Sequence, residues 1–156
     1  MPESLIGFVY HNGKASYMLL DNKKIFIVED NLQNRIIFQL ALNRHGAQLH
    51  FEPWGSRTLL QLQGLCRIDL IVLDLMLANG VSGFDIFDQI RAKPEYDKVP
   101  IVAVSAIDPS FAIPKAQEKG FSGFIGKPID NELFAHQLAA LIDGEKIWHG
   151  GERFIL

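Results

Sequence analysis

The chain predicts an α/β fold, a five-stranded parallel sheet with helices on both faces, and three observations predict it. Short apolar runs, Ile25-Phe26-Ile27-Val28 and Ile68 to Leu75 foremost, have the continuous apolar character of strands buried on both faces. Longer segments between such runs carry apolar residues at helical spacing. The two patterns alternate five times from Lys23 onward, and alternation of this kind calls for parallel strands joined by right-handed crossovers.

After the first strand, Asn31 to Arg44 reads as an amphipathic helix. Leu32, Ile36 and Leu40 form one i, i+4 row beside Ile37 and Ala41, and Gly46 is placed to end it. Gln48 to Glu52 is a short second strand, and Ser56 is placed to cap a second helix carrying Leu59, Leu60 and Leu62. Ile68 to Leu75 is the third strand. Ser82 opens the third helix, with Asp85 three residues on in a capping-box-like arrangement; Phe84, Phe87 and Ile90 give it a buried side, and Pro94 closes the segment. Pro100 introduces the fourth strand, Ile101 to Ser105. The fourth helix is expected to run only from near Pro114 to Lys119, because Pro109 and Pro114 flank Phe111-Ala112-Ile113 and proline disrupts a helix interior. Phe121 to Ile125 is the last strand. Asp130 caps a final helix bearing Leu133, Phe134, Leu138 and Leu141, which Gly144 ends. Five such units suit the flavodoxin-like strand order 2-1-3-4-5, in which ligands gather outside the carboxyl ends of the strands.

A chain of 156 residues, 48% hydrophobic, is long enough for one domain with an ordinary core. Residues 23–143 form that domain. Residues 1–22 are an N-terminal extension, either a strand pair across the His11–Lys14 turn or a disordered leader. Residues 144–156 are a C-terminal tail, expected to pack back on the body because Ile147, Trp148 and Phe154-Ile155-Leu156 repay burial. A net charge of -3 with scattered basic residues gives no reason to expect nucleic-acid binding. No apolar run approaches the ~18 residues of a membrane span. Ile6 to Tyr10 is too short, and Glu3 wrongly charged, for a secretory signal. The single cysteine, Cys66, excludes a disulfide framework and is expected to be a buried, inert thiol, compatible with a reducing cytoplasm. The five histidines show no metal-binding spacing.

The chemistry gathers at the carboxyl ends of the strands. The first strand ends in Glu29-Asp30, the third delivers Asp74, the fourth ends in Ser105, and the fifth is followed by Lys127-Pro128. Three neighbouring carboxylates repel one another unless a cation joins them, and hard oxygen ligands in a small open pocket favour Mg²⁺. A carboxylate can also attack phosphorus and form an aspartyl phosphate, whose oxygens need metal, ammonium and hydroxyl partners. Any one of these residues alone has an ordinary structural explanation, a helix cap or a solvated charge; all of them on one sheet edge do not.

The stretches Ile25–Asn31 (IFIVEDN), Ile71–Leu77 (IVLDLML), Pro100–Ala106 (PIVAVSA) and Gly123–Pro128 (GFIGKP), in this order and separation, resemble the response-regulator receiver family of two-component signalling. The resemblance covers Lys23 to Asp143. It implies that Asp74 is the phosphoacceptor. It implies that Asp30, assisted by Glu29, holds Mg²⁺ together with Asp74 and the backbone carbonyl of Met76. Ser105 binds the phosphoryl group, Lys127 pairs with its charge, and Phe124 falls at the family's aromatic switch position. The sequence departs from the family in its loop Leu77 to Gly83, which lacks the usual proline and is one residue longer than the commonest version, and in Ser105, where threonine is usual.

The implied function is that of a stand-alone, cytoplasmic response regulator. It would take its phosphoryl group from a sensor histidine kinase or histidine phosphotransfer protein. It would signal by contact with a downstream protein, promoting only its own phosphorylation and dephosphorylation, and a homodimer stays open. One rival is a Mg²⁺-dependent aspartyl-phosphate phosphatase, which usually has a second acid two residues after its nucleophile, where this chain has Met76. The other is a degenerate receiver acting only as a binding module, against which the intact acid cluster argues.

Overall fold

The structure, a computed structural model, describes the backbone of residues 8–11 and 14–151 and the side chains of residues 18–151. Its centre is a parallel sheet. Strands β3 (Lys24–Val28), β4 (Gln48–Glu52), β5 (Leu70–Leu73), β6 (Ile101–Ser105), β7 (Gly123–Gly126) and β8 (Ile147–His149) lie in the order β4-β3-β5-β6-β7-β8. The first five reproduce the expected 2-1-3-4-5 order, and every neighbouring pair is parallel. Ahead of the sheet, β1 (Phe8–His11) and β2 (Lys14–Tyr17) form an antiparallel pair with Phe8 opposite Tyr17. Leu20, fully buried, and its N–H bond to the His45 carbonyl fasten the chain that follows to the body.

Strand side chains alternate between faces, so each face has its own core. Phe26, Ile71, Leu73, Phe84, Phe87 and Phe121 belong to one; α2 (Thr58–Gln63), α3 (Gly83–Arg91) and α4 (Pro109–Lys119) cover it. Ile25, Ile27, Val72, Phe38, Phe134 and Leu138 belong to the other, beneath α1 (Leu32–Asn43) and α5 (Phe134–Ile142). Ring stacking of Phe87 on Phe121, with centroids 4.2 Å apart, ties α3 to the chain entering β7.

The structure corrects the sequence reading at several places. The sheet has six strands, because the tail adds β8 beside β7; Phe154-Ile155-Leu156 lie outside the described residues. Room for β8 comes from two glycines of β7: a Cβ on Gly126 would stand 2.6 Å from the Gly150 carbonyl oxygen, and one on Gly123 would overlap the carbonyl of Ile147. In α1 the row Leu32, Ile36 and Leu40 faces outward, 62%, 47% and 71% exposed, while Phe38, Ala41 and Leu42 are buried. The helix carries two apolar stripes, and the one that fits the sheet wins. No Ser56 side chain caps α2; Glu52 gathers that turn instead. Helix α4 starts at Pro109, capped by Asp108, and runs through Pro114. Pro114 is exposed, so water can solvate the carbonyl that its missing N–H leaves free, while Ala112 and Ala116 anchor the opposite side. Cys66 is exposed, in the loop between α2 and β5.

The expected cap at Ser82 is present, accepting from Phe84 N at 3.2 Å at the start of α3. Asp130 does not cap α5, which starts at Phe134 behind Leu133 with no side-chain cap; its Oδ1 accepts from Glu132 N and Leu133 N and closes the turn before the helix.

Candidate functional site

Parallel strands all end on one edge, so the residues that follow β3, β5, β6 and β7 converge there. Lys127 stands at the centre. Its Nζ lies 2.6 Å from Glu29 Oε2 and 2.8 Å from Asp74 Oδ2. The three side chains are 12%, 1% and 7% exposed. One carboxylate oxygen each from Glu29, Asp30 and Asp74 lies within 4.8 Å of the other two, the only such acidic or ligand-bearing group among the described residues.

Backbone donors hold each acid in place. Glu29 Oε1 accepts from Asn31 N at 3.1 Å and from Asn34 Nδ2 at 3.3 Å. Asp30 Oδ2 accepts from Ala78 N at 2.8 Å, which joins the loop after β3 to the loop after β5. Asp74 Oδ1 accepts from Met76 N at 3.2 Å. The Met76 side chain is 65% exposed, so the place two residues beyond Asp74 supplies backbone to the site and no acid. Gly83, first residue of α3, is packed so tightly on the Asp74 carbonyl that a Cβ would overlap it.

Burial raises the Glu29 carboxyl above its ordinary value; the Asp74 charge adds to this, and Lys127 opposes it. Burial also works against the Lys127 charge, but attraction and hydrogen bonds from Asp74 and Glu29 outweigh it and hold the ammonium pKa above its usual value. Three acids therefore face one fixed cation. That surplus of negative charge, on hard oxygen atoms, fits a small divalent cation such as Mg²⁺.

Ser105 is 1% exposed, and its Oγ accepts from Ile107 N at 3.4 Å. With Lys127 it lines an open cavity of about 320 Å³, whose other walls include Asn34, Ile107 and Gly150. Lys127 is thus the wall shared by the acid cluster and the cavity. The peptide bond from Lys127 to Pro128 is cis. Phe124 is fully buried in the core that also holds Ala112, Ala116 and Phe121, with its ring already inward.

The structure brings Glu29, Asp30, Asp74, Ser105 and Lys127 to one edge and leaves Phe124 behind it. Sequence reasoning missed two residues. Arg35 Nη1 donates to the carbonyl oxygens of both Glu29 and Asp30, 2.9 Å each, and so fixes the turn that carries them. Glu52, at the end of β4, is a fully buried carboxylate on the same edge. The rule that found the other acids, polar residues at strand ends, would have found it had it been applied to the second strand.

The family described as response regulator receiver domain matches residues 25–139. The transcriptional regulatory protein AfsQ1 of Streptomyces coelicolor is 28% identical over 118 residues, 76% of this chain and 50% of that protein, so the chain spans half of that relative's length. The polar-differentiation response regulator DivK of Brucella ovis is 27% identical over 123 residues, 77% of this chain and 96% of DivK. Among solved structures, the receiver domain of sensor histidine kinase PA1611 from Pseudomonas aeruginosa, with a magnesium ion coordinated in its active-site cleft, matches with a TM-score of 0.68 and 23% identity. That match covers 78% of this chain and 98% of the solved one.

Proposed function

The chain belongs to the response regulator receiver family, and from that membership we propose that it receives a phosphoryl group on Asp74 and passes the signal on by protein contact. The observation that carries the proposal is the ion-paired triangle of Asp74, Lys127 and Glu29, with Asp30 beside it. An Asp74 carboxylate oxygen attacks phosphorus, the bond from phosphorus to the donor's imidazole nitrogen breaks, and the imidazole leaves with the electron pair. Lys127 moves its charge from the Asp74 oxygen to the new phosphoryl oxygens, and the Ser105 hydroxyl donates to another.

Glu29, Asp30, Asp74 and the Met76 carbonyl are the groups that would hold Mg²⁺, as the donor chemistry suits and as the PA1611 receiver does with its own site. When bound, the ion neutralises charge on the transferring group. The donor is a histidine kinase or a histidine phosphotransfer protein. Its docking surface, in this reading, is the outward row Leu32, Ile36 and Leu40, because α1 begins beside Asp30 and the donor must reach Asp74. Ser105 and Phe124 form the switch. A phosphoryl group draws Ser105 toward Asp74, and the buried Phe124 ring sits behind it on the neighbouring strand.

The test is chemical. A small phosphodonor with Mg²⁺ adds one phosphoryl group to wild type and none to Asp74→Asn, and chelation of the metal abolishes labelling. Equal labelling of the Asp74→Asn protein would remove Asp74 as acceptor.

A further inference from the structure

Glu52 is fully buried, and among the described residues no basic group pairs with it. A lone buried carboxylate is strongly unfavourable unless donors surround it. Three do. Glu52 Oε1 accepts from Trp54 N at 2.8 Å, and Oε2 accepts from Gly55 N at 2.6 Å and lies 2.9 Å from Thr58 Oγ1, whose one proton it shares with the Gly55 carbonyl, also at 2.9 Å. These bonds fold residues 52–58 into a clasp that closes on the start of α2.

The clasp bears on the acid site from two directions. The Glu52 backbone carbonyl accepts from Glu29 N at 3.3 Å. Gly55, at φ 78 and bonded through its N–H to Glu52, leaves no space for a side chain above the loop that follows Asp74. A Cβ there would stand 2.8 Å from Leu77 Cδ1 and 3.0 Å from Val81 Cγ1. Leu77 N in turn bonds to the Val81 carbonyl at 3.0 Å, closing that loop, and the next residue, Ala78, donates its N–H to Asp30. A continuous chain of contacts therefore runs from the Glu52 carboxylate through Gly55 and Leu77 to the Asp30 carboxylate.

We propose that Glu52 is a positioning residue. Its clasp sets the height of the Leu77 loop, and through the Ala78 N–H it holds Asp30 in the geometry that binds a divalent cation. The proposal rests on reading the acid cluster as a Mg²⁺ site. It adds a residue that touches neither metal nor phosphoryl group.

The experiment compares wild type with Glu52→Gln, Thr58→Val and Thr58→Ser, measuring amide hydrogen exchange at Ala78 and the Mg²⁺ dissociation constant by calorimetry. Glutamine turns an amide NH₂ against the donors at 54, 55 or 58. The Ala78 amide then exchanges faster and Mg²⁺ binding weakens about tenfold. Thr58→Val removes one of three donors in a side chain of the same shape and shows a smaller change in the same direction. Thr58→Ser keeps the hydroxyl and behaves as wild type. Should Glu52→Gln fail to fold, Thr58→Val against Thr58→Ser decides. Unchanged Ala78 exchange and Mg²⁺ affinity in the folded variants, even with a lower melting temperature, would reduce Glu52 to a structural acid. If wild type itself bound no Mg²⁺, the metal reading would fail, and Ala78 exchange alone would still decide on the clasp.

Discussion

Lys127 Nζ lies 2.8 Å from Asp74 Oδ2 although 53 residues separate the two in sequence. The same ammonium is 2.6 Å from Glu29 Oε2, so one cation holds two buried acids on neighbouring strand ends. Removing it leaves both acids without their cation. Lys127→Gln is expected to lose about 3–5 kcal/mol of stability in metal-free buffer, the usual result of taking one partner from a buried ion pair. Mg²⁺ should return part of that loss, since it faces the same oxygens. Urea unfolding with and without chelator measures both; a loss below 1 kcal/mol would mean that the pair is solvated.

The phosphorylated form is expected to decay slowly. Met76 and Ile107 each stand two residues beyond a site residue, Asp74 and Ser105, and neither can orient an attacking water by hydrogen bonding. A Met76→Asn, Ile107→Glu double variant should lose its phosphoryl group about tenfold faster or more. Equal half-lives would show that water reaches phosphorus by another path.

Strand β8 depends on the bare backbone of β7. Gly126→Ala puts a methyl 2.6 Å from the Gly150 carbonyl oxygen and should detach residues 147–149, at a cost of about 1–3 kcal/mol. Hydrogen exchange is the measurement. Amides of β8 should lose protection, while those of β3 and β5 stay as they were. Retained protection in β8 would show that the sheet yields instead.

Tyr96 supplies a pH dependence remote from the acids. It is 8% exposed, and burial, with the Glu95 charge beside it, raises its phenol above the ordinary tyrosine value. A group whose pKa is raised by folding stabilises the protein fully below its unfolded pKa, near ~10 for tyrosine, and loses that contribution as pH rises through the folded value. Stability should therefore fall on the alkaline side. Tyr96→Phe should lack this limb, and ultraviolet titration of the folded protein should lose its late-ionising phenol. An unchanged titration curve in the variant would exclude Tyr96 as its source.

Periodicity and strand-end polarity by themselves determined the parallel sheet, its first five strands in order, and the meeting of Glu29, Asp30, Asp74, Ser105 and Lys127. Each of these follows from local pattern plus one topological rule: parallel strands deliver their carboxyl ends to one edge. Tertiary structure decided what local pattern leaves degenerate. Helix α1 has apolar residues on two sides, and only docking on the sheet chose Phe38 and Leu42 over Leu32, Ile36 and Leu40. Pro114 opposes a helix by its own chemistry, yet α4 passes through it because that residue faces water. The three residues of β8 are too few to declare a strand; they become one because Gly123 and Gly126 let another backbone approach. Glu52 ends an ordinary strand in the sequence and becomes a buried clasp only where Trp54, Gly55 and Thr58 fold around it. The difference is physical: a side chain's periodicity is written along the chain, but its burial depends on what packs against it.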